Sequence, residues 1–211
     1  MSFEGVAAVL LAAGRSRRMG AFKPLLPFGG VTVVESCVKT LQAAGAAETV
    51  VVVGHRAEDV RAALAGRGGL RFAVNEDATS EMGASIARGV EALSAATKAA
   101  LVALVDHPAV PAAEVRKLVE AWVATGAPLV LPEWEGRGGH PVLVDMRLKE
   151  ELLSLDARGG LRSLFAKHAG EVLRVPAGSP YVVRDMDTWG EYAALYRDVF
   201  GTEPPAAGGP A

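Results

Sequence analysis

The chain has 211 residues, enough for one domain with a full hydrophobic core, and half of it is apolar, which is too much for a disordered polymer. Lys and Arg (22) nearly balance Asp and Glu (24), so the global charge suggests neither a nucleic-acid nor a membrane partner, and any phosphate affinity must be local. A single cysteine, Cys37, excludes an internal disulfide and suits a reducing compartment.

The first apolar run, Val6–Ala13, is shorter than the roughly 20 residues a membrane span needs. Glu4 is the only charge before it, so no secretory leader is expected and the cytoplasm is the expected location. The run reads as a strand. A glycine-rich basic loop follows, then a helix over Val31–Ala44 closed by Gly45. Thr49–Val53 reads as a strand, Glu58–Ala65 as a helix, Leu70–Val74 as a strand, Ser80–Leu93 as a helix and Ala99–Val105 as a strand. Ala112–Thr125 is a helix stopped by Gly126. Leu129–Leu131 and Pro141–Val144 are strands, separated by a polar, glycine-rich loop over Glu133–Gly139. Met146–Leu153 and Leu161–His168 are short helices, and Glu171–Pro176 and Tyr181–Asp185 short strands. Thr188–Val199 is a closing helix that packs Trp189, Tyr192, Leu195 and Tyr196. Several runs are apolar at consecutive positions, as in parallel strands covered on both faces. Strand then helix, repeated, predicts a doubly wound, mostly parallel α/β sheet whose ligands bind beyond the carboxyl ends of the strands. Residues 1–200 are expected to form this single domain, and 201–211, rich in Pro, Gly and Ala, a disordered tail.

The first strand ends in Leu11-Ala12-Ala13-Gly14-Arg15-Ser16-Arg17-Arg18-Met19-Gly20-Ala21-Phe22-Lys23-Pro24. Glycines let the backbone approach a phosphate, whose oxygens backbone N–H groups can cradle. Arg18 can grip phosphate oxygens in a fork, and Lys23 offers a mobile point charge. Four cations between residues 15 and 23 form a local anion trap; an exposed basic loop with ordinary turn glycines is the alternative. The loop is not a P-loop, because five residues separate Gly14 from Gly20 and Ala21 follows. Nor is it a dinucleotide fingerprint, because Ser16 stands at the middle glycine. No Cys/His cluster has zinc spacing, and there is no Gly-x-Ser-x-Gly elbow.

The most apolar run ends abruptly in Asp106-His107-Pro108. A carboxylate at the end of a central strand faces the ligand crevice and suits Mg²⁺, which takes one or two carboxylates plus phosphate oxygens and water. Asp near Pro also caps turns, and the residues alone leave the two uses even. Asp185-Met186-Asp187-Thr188 brings a second acidic pair, for which a capping box reaching Glu191 is the competing use. Asn75 ends the third run, and Gly83 and Ser85 near a helix start could offer N–H groups to an anion or simply allow close packing. His55, after Gly54, reads as structural or solvent-facing.

Leu11-Ala12-Ala13-Gly14-x-Ser16-x-Arg18-Met19-Gly20-x-x-Lys23 resembles the N-terminal signature of the MobA-like nucleotidyltransferases, in particular the molybdenum cofactor cytidylyltransferase branch. The resemblance extends from Val6 to about Tyr192. It implies a Rossmann-like, GT-A-like fold and a Mg²⁺-dependent enzyme that moves CMP from CTP onto the terminal phosphate of a molybdenum pterin cofactor, releasing pyrophosphate. It assigns nucleotide binding to Leu11, Ala12, Ala13, Gly14, Ser16, Arg18, Lys23, Asn75, Gly83 and Ser85. Arg18, Lys23 and Asp106 would be catalytic, and Asp106 with Asp187 would hold Mg²⁺, supported by Asp185. Relatives that transfer GMP carry Leu-Ala-Gly-Gly, so Ala13 favours CTP by resemblance. Gly138-Gly139-His140-Pro141 is similar to a segment near the family's acceptor pocket. His140 is thus an acceptor-binding candidate, joined by Arg158 and Arg162 from a partly matching segment. Trp189-Gly190 departs from the Pro-Glu that relatives often carry. The implied partners are CTP or another NTP, a molybdopterin-type acceptor and a client molybdoenzyme. A guanylyltransferase, a transferase for another phosphorylated acceptor, or a non-catalytic chaperone that holds the cofactor are the alternatives.

Overall fold

The computed structural model describes residues 3–76, 82–155 and 159–205. In chain order the strands are β1 (Val6–Leu11), β2 (Pro27–Phe28), β3 (Val31–Thr32), β4 (Glu48–Val53), β5 (Leu70–Val74), β6 (Ala99–Leu104), β7 (Leu129–Trp134), β8 (Arg137–Gly138), β9 (Val142–Asp145) and β10 (Val172–Pro176). The α-helices are α1 (Val33–Ala43), α2 (Ala57–Ala63), α3 (Met82–Glu91), α4 (Ala112–Thr125), α5 (Lys149–Leu153), α6 (Gly160–Lys167) and α7 (Trp189–Phe200). The main sheet runs β10-β7-β9-β6-β1-β4-β5, with β8 paired to β7, while β2 and β3 form a separate hairpin. β1 lies parallel to both β4 and β6, β4 to β5, and β10 to β7. β9 is inserted antiparallel between β6 and β7. This is a doubly wound, mostly parallel sheet with helices on both faces.

All six residues of β1 are buried, because each of its faces meets a helical layer. Val6, Ala8 and Leu10 belong to one core with Val34 and Val38 of α1, Leu118 of α4 and Leu195 of α7. Val9 and Leu11 belong to the other, with Ile86 and Val90 of α3, Leu152 of α5 and Leu164 of α6. The alternation follows from the two-residue period of a strand. α3 comes very close to the sheet at Gly89, where an added Cβ would lie 2.3 Å from Val9 Cγ1 and 2.9 Å from Val52 Cγ2.

The helix expected from Val31 begins two residues later. The Thr32 side chain accepts from the Glu35 amide, and the Glu35 carboxylate accepts from the Thr32 amide at 2.7 Å, a capping box that starts α1 at Val33. Gly126 closes α4 in the left-handed conformation as expected (φ 65°). The stretch expected as a loop over Glu133–Gly139 is a hairpin instead: β7 runs on to Trp134, turns through Glu135 and Gly136, both at positive φ, and returns as β8.

Tyr181–Asp185 was expected as a strand and is not one. It contains a 3₁₀ turn over Pro180–Val183, in which Pro180 has no N–H for a ladder and the Ser179 side chain takes up the Tyr181 amide. The apolar run still buries Val182 in the core, which is the signal that read as a strand. The start of the helix expected at Ser80 and the end of the expected tail, residues 206–211, lie outside the described residues. Among the described residues no helix is long and apolar enough to cross a membrane.

Candidate active site

β1 and β6 are neighbours at the centre of the sheet. The chain leaves β1 toward β4 on one side and leaves β6 toward β7 and β9 on the other. Their carboxyl ends therefore flank the crevice where open α/β sheets bind ligands. A cleft of about 680 Å³ opens there, walled by the basic loop after β1, the ends of β4, β5 and β6, the start of α3, and Asp187.

The loop is anchored at both ends. Met19 is buried in the core. Ser16 takes a left-handed backbone (φ 52°), accepts the Met19 amide at its carbonyl (3.1 Å) and the Lys23 amide at its hydroxyl (3.1 Å). The Phe22 ring is held edge-on by His55 (5.9 Å) and faced by the Arg56 guanidinium (5.0 Å), so the end of β4 clamps the loop just before Lys23. The Lys23 side chain is consequently only 9% exposed, and it points into the cleft.

Lys23 Nζ lies 3.0 Å from Asp187 Oδ1 and 3.5 Å from Asp106 Oδ2. Arg18, mostly exposed, reaches the other oxygen of Asp187 at 2.8 Å. The cationic loop and two acids 81 positions apart (106 and 187) thus converge on one point. Asp106 closes the turn after β6. α1 braces that turn: Ser36 donates to the Pro108 carbonyl, Cys37 to that of Val105 and Thr40 to that of Val110. Burial alone would raise the Asp106 carboxyl. The hydrogen bond from His107 and the nearby Lys23 ammonium outweigh it and hold the carboxyl at about 2. Asp187 precedes α7, whose N-cap Thr188 forms a capping box with Glu191; the Glu191 carboxylate also accepts the Asp187 amide at 3.0 Å. Capping fixes the backbone of Asp187 and leaves its side chain free for the cleft.

On the opposite wall the Asn75 amide donates to Ser85 Oγ at 2.8 Å, joining the end of β5 to α3. Leu11, Ala13, Gly14 and His55 also line the cleft. The Ala13 methyl lies against Gly54, where an added Cβ would be 3.2 Å away. Val74 and Met82, both exposed large apolar residues, supply a hydrophobic patch that the residue-by-residue reading missed. Their signal was weak: one ends a strand and the other starts a helix. His107 was also missed, although it stands next to Asp106 in the chain.

Other expected residues are placed differently. Ala12 is buried in the core with its amide on the Val52 carbonyl, and Gly83 is buried within α3; neither lines the cleft. His140 faces a small second cavity behind Asp106, together with His107 and Cys37, rather than the main cleft. Among the described residues its Nδ1 is buried without a hydrogen-bond partner. Burial first, then the neighbouring His107, pushes the His140 imidazole down to about 4, so it is neutral at pH 7. Gly139 is required by packing, since a Cβ there would lie 2.2 Å from the Val182 carbonyl oxygen. Arg162 and Asp185 are exposed and do not line the cleft, and Arg158 lies outside the described residues.

Fold and cleft together define an α/β protein with a basic loop and two carboxylates at the carboxyl ends of its central strands. The chain belongs to the MobA-like NTP transferase family, whose domain matches residues 8–172. It is 36% identical over 195 residues to nicotine blue oxidoreductase of Paenarthrobacter nicotinovorans, covering 87% of this chain and 92% of that one. Among solved structures it is similar to a nucleotidyl transferase from Methanothermobacter thermautotroptrophicus (TM-score 0.79, 28% identity, 94% and 99% of the two chains). It is also similar to Rv0371c of Mycobacterium tuberculosis in complex with manganese (TM-score 0.78, 26% identity, 93% and 100%). The match to a bifunctional GlmU protein of Geobacter metallireducens spans only 27% of that chain.

Proposed function

We propose that this chain transfers CMP from CTP onto the terminal phosphate of a molybdenum pterin cofactor and releases pyrophosphate. The observation that carries the reading is the convergence of Asp106 and Asp187 on Lys23 of the basic loop. Two carboxylate oxygens on one cation form a donor set that Mg²⁺ accepts when phosphates and water complete its shell. Among the described residues no cluster of three or more His, Cys, Asp or Glu side chains could hold a metal by itself, which fits a cation that arrives with its nucleotide. When held by Asp106 and Asp187, the metal would supply electrostatic stabilisation of the charge that develops at the phosphates.

The chain's own groups position and neutralise. Asp106 and Asp187 would hold the cation. Lys23 and Arg18 turn from the carboxylates to the β- and γ-phosphates and take up the charge of the departing pyrophosphate. The N–H groups around Gly14 and Ser16 would cradle the phosphates. An oxygen of the acceptor phosphate attacks the α-phosphorus in line, a P–O bond forms to CMP, and the bond to pyrophosphate breaks. The acceptor is already ionised at neutral pH, so no protein nucleophile is needed and alignment supplies most of the rate. The Ala13 methyl against Gly54 narrows the wall near Asn75, which supports the smaller base. The Mg²⁺ preference, the cytoplasmic location, a client molybdoenzyme that receives the product, and the division into a domain over 1–200 and a tail over 201–211 belong to the same proposal.

The test is pyrophosphate release with each of the four nucleotides, with and without molybdopterin, in Mg²⁺ and Mn²⁺. Release only with CTP and acceptor together is expected. Release with GTP alone would move the reading to a guanylyltransferase, and none with any nucleotide would leave a binding protein. One observation favours a second reading: the 36% identity to nicotine blue oxidoreductase over most of both chains. Redox turnover of nicotine blue, without pyrophosphate release in the assay above, would establish it.

A further inference from the structure

The Asp106 carboxylate has two differently engaged oxygens. Oδ2 faces Lys23 in the cleft at 3.5 Å, and Oδ1 accepts from His107 Nδ1 at 2.9 Å. The His107 side chain is only 9% exposed. Its ring lies 5.2 Å from that of His140, tilted by 59°, and its amide donates to the Leu104 carbonyl. The imidazole is therefore walled in on the side away from Asp106, within a turn that α1 already braces. A buried ring whose role was only to fill space would need no polar atom, yet this one directs Nδ1 at the oxygen of Asp106 that faces away from the cleft.

We propose that His107 is a positioning residue for Asp106: it donates from Nδ1 to Oδ1, fixes the carboxylate rotamer, and so commits Oδ2 to the cation of the metal–polyphosphate complex. The inference rests on the reading of Asp106 as a cation ligand. Without the donor the carboxylate can rotate and present either oxygen, or neither, to the cleft, and the metal loses a preset ligand. Outer hydrogen bonds of this kind contribute about 10–100-fold to metal affinity. Asparagine places an amide N–H close to the position of Nδ1 and should retain the function. Phenylalanine and leucine fill the space but cannot donate.

The experiment is a manganese titration followed by the EPR signal of free Mn²⁺, with a non-hydrolysable CTP analogue present. It uses the full chain, His107→Phe, His107→Leu, His107→Asn and Asp106→Asn, and thermal melting identifies the variants that fold. The expected result is an Mn²⁺ dissociation constant raised about 10–100-fold in His107→Phe or His107→Leu, and within a few-fold of the parent in His107→Asn. The nucleotide KM at saturating metal should be unchanged in all the His107 variants. Two leucine outcomes overturn the inference: a folded His107→Leu that binds manganese as tightly as the parent while Asp106→Asn does not, or a defect that asparagine fails to correct. Unchanged binding in Asp106→Asn would instead remove Asp106 as a ligand and overturn the reading beneath the inference as well.

Discussion

Lys23 is the residue on which the cleft turns. Its side chain, only 9% exposed, sets an ammonium where two carboxylates would otherwise face each other. On the proposed reading metal and triphosphate arrive together: the metal would displace Lys23 from the acids, and the phosphates would give Lys23 and Arg18 new partners. Coupling of this kind is reciprocal. Lys23→Met should bind Mn²⁺ at least tenfold more tightly than the parent in the absence of nucleotide, a difference of about 1.4 kcal/mol. Its KM for CTP should rise about tenfold or more. Calorimetry of Mn²⁺ binding and initial rates check both, and a nucleotide-free affinity equal to or below that of the parent contradicts the exchange. Asp106→Asn keeps the shape and removes the charge; it should lower Mg²⁺-dependent pyrophosphate release by at least about 100-fold, with a melting curve like the parent's. Arg18, Lys23, Asp106 and Asp187 were legible in the sequence because each is a charge in a spaced motif. His107, Val74 and Met82 were not, because their part depends on neighbours brought in by the fold. Ala12 was read as a ligand residue because a motif does not distinguish backbone that faces the phosphate from a side chain that faces the core.

At the scale of elements, the close approach of α3 to the sheet sets where Ser85 stands. An alanine at Gly89 would put its methyl carbon 2.3 Å from Val9 Cγ1. Helix propensity favours alanine by about 1 kcal/mol, whereas overpacking a rigid core costs about 1–3 kcal/mol. The overlap should win: Gly89→Ala is expected to lower urea-derived stability by about 1–2 kcal/mol. In a Val9→Ala background the same change should cost less, because the nearer clash partner has gone and only Val52 Cγ2, 2.9 Å away, remains. Additive losses would show that the helix shifts instead. The cap of α7 gives a second case. Thr188→Ala removes one half of the capping box and should cost about 1 kcal/mol, as well as loosening the backbone that presents Asp187. The strands of the parallel core were legible as consecutive apolar runs, and the helices as periodic segments, one of them ended by Gly126. The 3₁₀ turn at Pro180–Val183 was not, because burial of Val182 gives the same apolar signal as a short strand.

Over the whole molecule, one helical layer braces the turn after β6 through α1, and the other, α3 with α5 and α6, carries the Ser85 wall of the cleft. The class of fold was legible from alternating strands and helices. The insertion of β9 antiparallel between β6 and β7 was not, because pairing partners distant in sequence decide it. α5 and α6 are tied together by His168, whose Nδ1 lies 2.9 Å from Glu171 and whose Nε2 lies 3.1 Å from Glu151, with Lys167 also on Glu151 at 2.7 Å. The Glu171 bond first and then that to Glu151 raise the His168 pKa above its ordinary 6.5. A raised histidine contributes stability that is fully present below its unfolded value and is lost as pH rises through the folded one. Glu151 works at the other end: Lys167 and His168 lower its pKa, so its contribution is lost as pH falls through the folded value. The clasp should therefore be strongest in mildly acidic solution, and the melting temperature should decline gently as pH rises above the ordinary histidine value of 6.5. These groups sit at the surface, so the slope should be small and should shrink in about 1 M salt, where charges are screened within a few ångströms. His168→Gln keeps one hydrogen bond, cannot titrate, and should flatten the profile. Hydrogen exchange of α5 and α6 should follow the same pH dependence in the parent and lose it in the variant. An identical slope in both proteins would assign the pH dependence to groups other than this clasp.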